Sequence, residues 1–302
     1  MTVVPLTKAT RIATLLSGRK RAQQPSSSVL RRLLRNRSAA FGGAVLIAAA
    51  LAAVFAGAIF DADPLDMVGR PYTWPLTDRL HPLGTDMLGR DILVGLVYAA
   101  RVSLAVGFAA AALSTILGVS LGVLAGYFGG WTDGLISRLT EVFQTMPPLI
   151  LAVVVVTVLS PSVGSIACGI GIASWPQIAR IVRAETLRLR DSEFVQAAVS
   201  VGEGHLRIVA GHILPNALPQ IVVTGSILVA SAILTEAALA FLGLGDPNEI
   251  SWGSMIGAGR EAMRTAWYMT ALPGLAITAV VLSLNLLADG LNDVFNPRAG
   301  NV

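Results

Sequence analysis

Few side chains in this sequence could do chemistry, and most of them lack the neighbours that chemistry would need. Histidine occurs three times, at His81, His205 and His212, and cysteine once, at Cys168. A lone cysteine excludes a disulfide framework and a thiolate metal cluster. His205 and His212 stand seven residues apart with no third ligand beside them, and the H-E-x-x-H spacing is absent, so no metal site is expected. A phosphate-binding G-x-x-x-x-G-K-[ST] loop requires a lysine after glycine, but Lys8 follows threonine and Lys20 follows arginine. The chain is therefore not expected to hydrolyse ATP or to act as an enzyme. Carboxylates deep in apolar stretches would suggest a proton relay. Only Glu236 lies inside such a stretch; Glu141, Asp289 and Asp293 lie at the ends of theirs.

The elements around these groups are apolar. Residues AVILMFWYC make up 54% of the 302 positions and charged residues 13%; a soluble domain runs at ~45–50% and ~25%. Mean hydropathy is +0.69. This points to a polytopic, all-α membrane protein and away from nucleic-acid binding. Uncharged runs cover residues 41–60, 102–125, 142–179, 208–235 and 265–288. The 142–179 run is too long for one crossing, and Ser160-Pro161-Ser162-Val163-Gly164 divides it. Six transmembrane helices are expected, the fifth starting near Asn216. The first run exceeds the ~7–15 residues of a signal-peptide core, so it is taken as a retained span.

Lys and Arg set the orientation. The first 40 residues hold nine of them and no Asp or Glu. Placing this tail in the cytoplasm leaves sixteen of the 22 basic residues on that side. Both termini are then cytoplasmic. The tail, residues 1–40, is expected to touch anionic membrane lipid. It precedes a first helix at 41–60, an extracytoplasmic loop at 61–95, a five-helix core at 96–295 and a short tail at 296–302.

Three loops carry more structure than connectors need. Residues 61–91 hold six Asp and the stretch Pro71-Tyr72-Thr73-Trp74-Pro75, and serve either as an interfacial lid or as a docking surface. Residues 243–264 contain Ser251-Trp252-Gly253-Ser254, with Trp252, Trp267 and Tyr268 suited to a membrane interface. The cytoplasmic loop spans about 186–215. Phe194, Ala197, Ala198 and Val201 recur there at helical spacing. Gly202 and Gly204 permit a sharp turn, and Leu206-Arg207-Ile208-Val209 offers a second short helix. Two short helices at an angle would form a protruding knob that suits a partner.

Phe194-Val195-Gln196-Ala197-Ala198-x-x-x-Gly202, followed by His212-Ile213-Leu214-Pro215-Asn216, resembles the "EAA" loop of binding-protein-dependent ABC importer permeases, with Gln196 in place of the motif's Glu. His81-Pro82-Leu83-Gly84-Thr85-Asp86, Gly126-Tyr127-Phe128-Gly129-Gly130-Trp131, Phe241-Leu242-Gly243-Leu244-Gly245 and Asn285-Leu286-Leu287-Ala288-Asp289-Gly290 resemble the dipeptide/oligopeptide/nickel branch, and most closely its C-type subunit. The resemblance implies a type I ABC importer (MetI-like) permease fold in a bacterial inner membrane. It implies as partners a homologous B-type permease, two ATPase subunits (or one fused one) and an extracytoplasmic binding protein. ATP and Mg would be bound by the ATPases, and no cofactor by this chain.

Under that resemblance Gln196, Ala197, Ala198, Gly202, Glu203, Gly204, His205, Leu206, Arg207, Ile208 and Pro215 would couple to the ATPases, with Leu206 and Ile208 as apolar anchors. Gln144, Thr145, Met146, Pro147, Trp175, Asn216, Glu236 and Asn285 are candidates for the translocation pathway. Asp86, Arg90, Asp91, Asp246 and Trp252 are candidates for docking the binding protein. Di- or oligopeptides are the expected solute, with nickel or glutathione as alternatives in the same machinery. A self-sufficient channel or ion-coupled carrier is the alternative of another class.

Overall fold

The computed structural model describes residues 29–295; the basic tail as far as residue 28 and residues 296–302 lie outside it. The described residues are helical apart from turns and one isolated β-bridge, Thr85 to Asp91. In chain order, α1 is Val29–Arg35, α2 Arg37–Ile59, α3 Ile92–Phe128, α4 Gly130–Thr145, α5 Pro148–Leu159 and α6 Val163–Arg190. Then come α7 Glu193–Ser200, α8 His205–Ile208, α9 Leu214–Leu239, α10 Trp252–Gly259 and α11 Tyr268–Phe295. Wider π-type turns, Val209–Ile213 and Ala240–Leu244, flank α9.

Five stretches are long and apolar enough to cross a membrane alone: α2, α3, α6, His205–Leu244 and α11. The expected third span differs from the other five. It divides into α4 and α5, bent by 88°. Met146 is extended, as a residue before proline must be, and Pro147 and Pro148 supply no backbone donors. The 12 residues of α5 reach about 18 Å, short of a ~30 Å hydrocarbon core. A sixth crossing therefore exists only as this bent pair.

Local caps move several other boundaries. Asn36 caps α2, its Oδ1 accepting from Ser38 and Ala39 N–H, so that helix begins before residue 41. Asp91 caps α3 in the same way, accepting from Leu93 and Val94 N–H at 2.7 and 3.1 Å. The helix thus starts inside the loop expected at 61–95. The fifth crossing does not start near Asn216. Pro215 is the second residue of α9 and follows the π-type turn Val209–Ile213; helix continues back to His205, so the proline interrupts the backbone ladder without ending the helix. The segment 186–215 is accordingly almost all helix.

α3 and α6 form the centre of the bundle. Gly118, Gly122 and Gly126 stand four apart on one stripe of α3. A Cβ on them would lie 2.6 Å from Ile178 Cβ, 2.6 Å from Ala179 O and 2.7 Å from Thr186 Cβ. Backbones meet that closely only where side chains are missing, the usual device where lipid provides no hydrophobic drive between helices. α9 and α11 complete the core, with Ile233, Leu228, Val280 and Leu284 buried between them and α3. On α2, Phe41, Ile47, Val54 and Phe55 are exposed, the pattern of a helix facing lipid.

Candidate functional site

At one end of the bundle α6 leads directly into the knob. Asp191 closes α6 and Ser192 precedes α7, its hydroxyl donating back to the Leu189 carbonyl. α7 ends in a paired-bond cap. Gly202 N–H donates to Val199 O (3.0 Å) and Glu203 N–H to Ala198 O (3.1 Å), with Gly202 at φ +84°. That positive φ is why glycine stands at position 202. Gly204 has φ −69°, needs no such freedom, and starts α8.

The knob is tied to the bundle by named contacts. Tyr127 at the end of α3 places its hydroxyl 2.9 Å from His205 Nδ1, and the two rings meet edge to face. Glu203 Oε2 lies 3.1 Å from His212 Nε2, joining the turn to the π-type turn beyond α8. Arg190 Nη1 donates to the last carbonyls of α3, Gly126 and Tyr127, both at 3.3 Å. Arg183 grips Asp133 of α4 through two nitrogens, Nη2 to Oδ2 at 2.6 Å. The segment from α6 to α9 therefore has a fixed seat on α3 and α4.

Burial sorts the expected coupling residues. Leu206 is 87% exposed and Val201 84%; Val199, Gln196, Ala197, Gly202, Gly204, His205, Arg207 and Pro215 are exposed too. Ile208 is 1% exposed and Ala198 is buried. Ile208 cannot anchor in a partner, because it already fills the core under α8 beside Val195 and Ile213. The stripe Phe194-Ala197-Ala198-Val201 divides between the two faces of α7. Val195 and Ala198 face inward, and Phe194, Ala197 and Val201 point out. The knob thus presents an unpartnered apolar tip on a turn stiffened from beneath.

The pathway candidates do not come together. Gln144, Thr145, Met146 and Pro147 are all exposed at the α4–α5 bend. Asn285 is exposed on α11, and Asn216 is exposed with its Nδ2 donating to His212 O at 2.6 Å. Trp175 is buried and stacks edge-on to Phe143 at 5.3 Å between ring centres. Glu236 is 1% exposed, enclosed by α3 and α10, so it lines no open surface.

At the other end of the bundle, the proposed docking residues are mostly structural. Asp91 caps α3 and its Oδ2 lies 2.7 Å from His81 Nδ1. Trp252 is buried, its Nε1–H donating to Leu96 O at 3.0 Å. Asp86 Oδ1 accepts from Leu88 and Arg90 N–H, both at 2.8 Å. Asp246 accepts from Val163 and Asn248 N–H. Asp86, Arg90 and Asp246 line a cavity of about 280 Å³ with Leu65, Ile250 and Met255. The 61–91 loop is pinned as a lid would be: buried Tyr268 donates its hydroxyl to Thr73 O and Thr85 O, both at 3.0 Å. Of the three aromatics expected at an interface, Trp252 and Tyr268 are buried and Trp267 is exposed.

Three functional supports escaped the sequence: the Gly118-Gly122-Gly126 stripe, the Asp133–Arg183 clamp and the Tyr127–His205 tie. The four-residue glycine spacing is a signal that pattern reading can use. The other two join residues 50 and 78 positions apart and leave none.

Comparison with known proteins adds a family. Residues 118–301 match the model of "Binding-protein-dependent transport system inner membrane component". Residues 24–82 match "N-terminal TM domain of oligopeptide transport permease C". A protein of Brucella abortus biovar 1 named as a peptide transport system permease is 39% identical over 283 residues, covering 91% of this chain and 93% of its own. The dipeptide transport system permease protein DppC of Alkalihalophilus pseudofirmus is 36% identical, covering 92% and 91%. An inward-facing structure of the MetNI methionine ABC transporter aligns with TM-score 0.53 and 21% identity over 67% of this chain and 97% of its own. An amino acid ABC transporter aligns with TM-score 0.51 and 14% identity over 65% and 91%. These last two likenesses concern the fold.

Proposed function

Because the chain belongs to the family of binding-protein-dependent transport system inner membrane components, we propose that it is one of two permease subunits of an ATP-driven importer of di- or oligopeptides. Relatives that carry peptide and dipeptide names support the choice of solute. The partner permease is a related B-type chain that completes the translocation pathway. Two ATPase subunits bind ATP and Mg on the cytoplasmic side, and a loaded binding protein docks on the opposite face. Both termini and the α7–α8 knob lie in the cytoplasm, in keeping with the basic residues on that side.

The observation that carries this assignment is the knob: an apolar tip, Leu206, almost wholly in water on a turn whose underside is buried and hydrogen-bonded. An exposed leucine on a rigid support stabilises nothing in this chain and suits insertion into a cleft. ATP closes the cleft, the knob follows as a lever, and α6 and α9 carry the displacement into the bundle. Work passes only if the ATP-bound state favours one arrangement over the other in free energy. Gln196, in the place of the motif's Glu, keeps an acceptor without a charge, so coupling here rests on shape and apolar contact rather than on an ion pair at that position.

The test is purification from native membranes in mild detergent, with mass spectrometry of bound subunits and ATPase assays with added binding protein. A second permease, ATPase subunits and stimulated hydrolysis are the expected result. Recovery of the chain alone, moving solute in liposomes, would replace this assignment with a self-sufficient carrier.

A further inference from the structure

Glu236 is an acidic side chain with no place in the lever just described. It lies near the end of α9, in a bundle whose surroundings are apolar, and is almost completely buried. Its Oε2 accepts from the Ser103 hydroxyl of α3 at 3.0 Å. The same Ser103 oxygen accepts the Trp252 backbone N–H at 3.2 Å, and Ser103 is fully buried. Ser251 is the cap of α10, and Trp252 its first residue. One short relay, Trp252 N–H to Ser103 Oγ–H to Glu236, therefore joins α10, α3 and α9.

Packing makes this junction tight. Gly253 sits against Ala237 of α9, where a Cβ would come within 2.5 Å of the Ala237 Cα, and Trp252 locks onto Leu96 O of α3. A carboxylate is costly in such a place, and a leucine of similar size would pack there without it. What an apolar residue could not do is orient the α10 cap, because that needs an acceptor for Ser103.

The position along the chain gives the junction its use. α9 runs from Glu236 back through the π-type turn to the knob, roughly 45 Å of continuous helix at ~1.5 Å per residue. Ser254, Met255 and Ala258 of α10 border the cavity at the docking end. We propose that Glu236 is a positioning residue of the transport cycle: with Ser103 and Trp252 it fastens α10 to α9, so that displacement at the docking face is delivered along α9 to the knob. The proposal rests on the permease assignment above and gives this buried acid a role in transmission rather than in the solute's path.

The relay uses Glu236 as an acceptor, so a side chain that keeps the acceptor keeps the relay. The variants are Glu236→Gln, Glu236→Leu and Ser103→Ala, in the complex purified with its own subunits. The first measurement is amide hydrogen exchange at α10 and at residues 200–208. Glu236→Leu and Ser103→Ala should each speed exchange at α10 and also alter it severalfold at the knob, and the pair combined should be no worse than either alone. Glu236→Gln should behave as wild type. The second measurement is the ratio of binding-protein-stimulated to basal ATP hydrolysis, which should fall severalfold in the first two variants and not in the third. Exchange changes confined to α10, with the knob and the ratio untouched, would reduce Glu236 to local packing and overturn the proposal. So would a Glu236→Gln variant as impaired as Glu236→Leu. If Glu236→Leu fails to fold, Ser103→Ala, which removes one hydroxyl, decides. A wild-type complex that shows no stimulated hydrolysis would count against the permease assignment instead, while the exchange experiment still decides whether α10 and the knob are linked.

Discussion

Replacing Leu206 with alanine tests the knob most directly, because the effect on the chain and the effect on its partner separate cleanly. Leu206 is 87% exposed, whereas Ile208, two positions on, is 1% exposed. The substitution removes three carbons. If docking takes them out of water, each is worth about 0.8 kcal/mol, or about 2.4 kcal/mol together. At about 1.4 kcal/mol per factor of ten, affinity for the ATPase subunits should fall by roughly 50-fold. Truncating a side chain that touches so little of its own protein should change folding stability by no more than about 0.5 kcal/mol. Ile208→Ala is the matched control. It empties a filled core position and should cost about 2–5 kcal/mol of stability. The assay is a binding titration of purified ATPase subunits onto the permease in nanodiscs, with thermal unfolding of each variant beside it. Wild-type affinity in the Leu206→Ala protein, or a drop in its unfolding temperature like that of Ile208→Ala, would refute the claim that this tip is the anchor.

Two further outcomes follow from backbone geometry. Gly202→Pro forces φ near −65° where the chain has +84° and deletes the N–H that reaches Val199 O; membrane insertion should persist while transport-linked ATP hydrolysis is lost, and Gly202→Asn, which tolerates the left-handed region, should retain most of it. Gly122→Leu drives a side chain into the Ala179 carbonyl 2.6 Å away and should cost at least ~1–3 kcal/mol in thermal stability; Gly134→Ala, with nothing within 4 Å, should not lower it.

Much of the architecture is legible along the chain. Uncharged runs locate the apolar helices, because a charge in hydrocarbon is expensive whatever its neighbours do. Gly202 can be read as a turn because only a residue without Cβ takes φ +84° cheaply. The bend at Met146-Pro147-Pro148 can be read because proline lacks a donor. Its consequence, an 88° bend between α4 and the 12-residue α5, cannot, since the angle depends on how α5 packs against α6. The buried face of α7 is not legible along the chain. Phe194, Ala197, Ala198 and Val201 form a valid helical stripe, but Val195 and Ala198 lie at helical spacing too, and only packing against α6 and α8 chooses between them. The backbone bonds of Asp86, Asp91 and Asp246 are not all local: Asp86 accepts from Arg90 N–H and Asp91 from Leu93 N–H, but Asp246 accepts from Val163 N–H, 83 positions away.

By itself the sequence determined that this is a multi-pass membrane protein and that it carries a structured, glycine-turned segment between its apolar runs. Both depend on composition or on residues within a few positions of one another, and such local physics survives without a fold. The tertiary structure alone decided which knob residues face outward, that Arg183 clamps Asp133, that Tyr127 holds His205, and that Glu236 closes on Ser103 beneath the α10 cap. Those contacts join residues 50, 78 and 133 positions apart. No periodicity encodes such pairs, because they arise only when α3, α4, α6, α8 and α9 pack at the distances that their glycines and prolines permit.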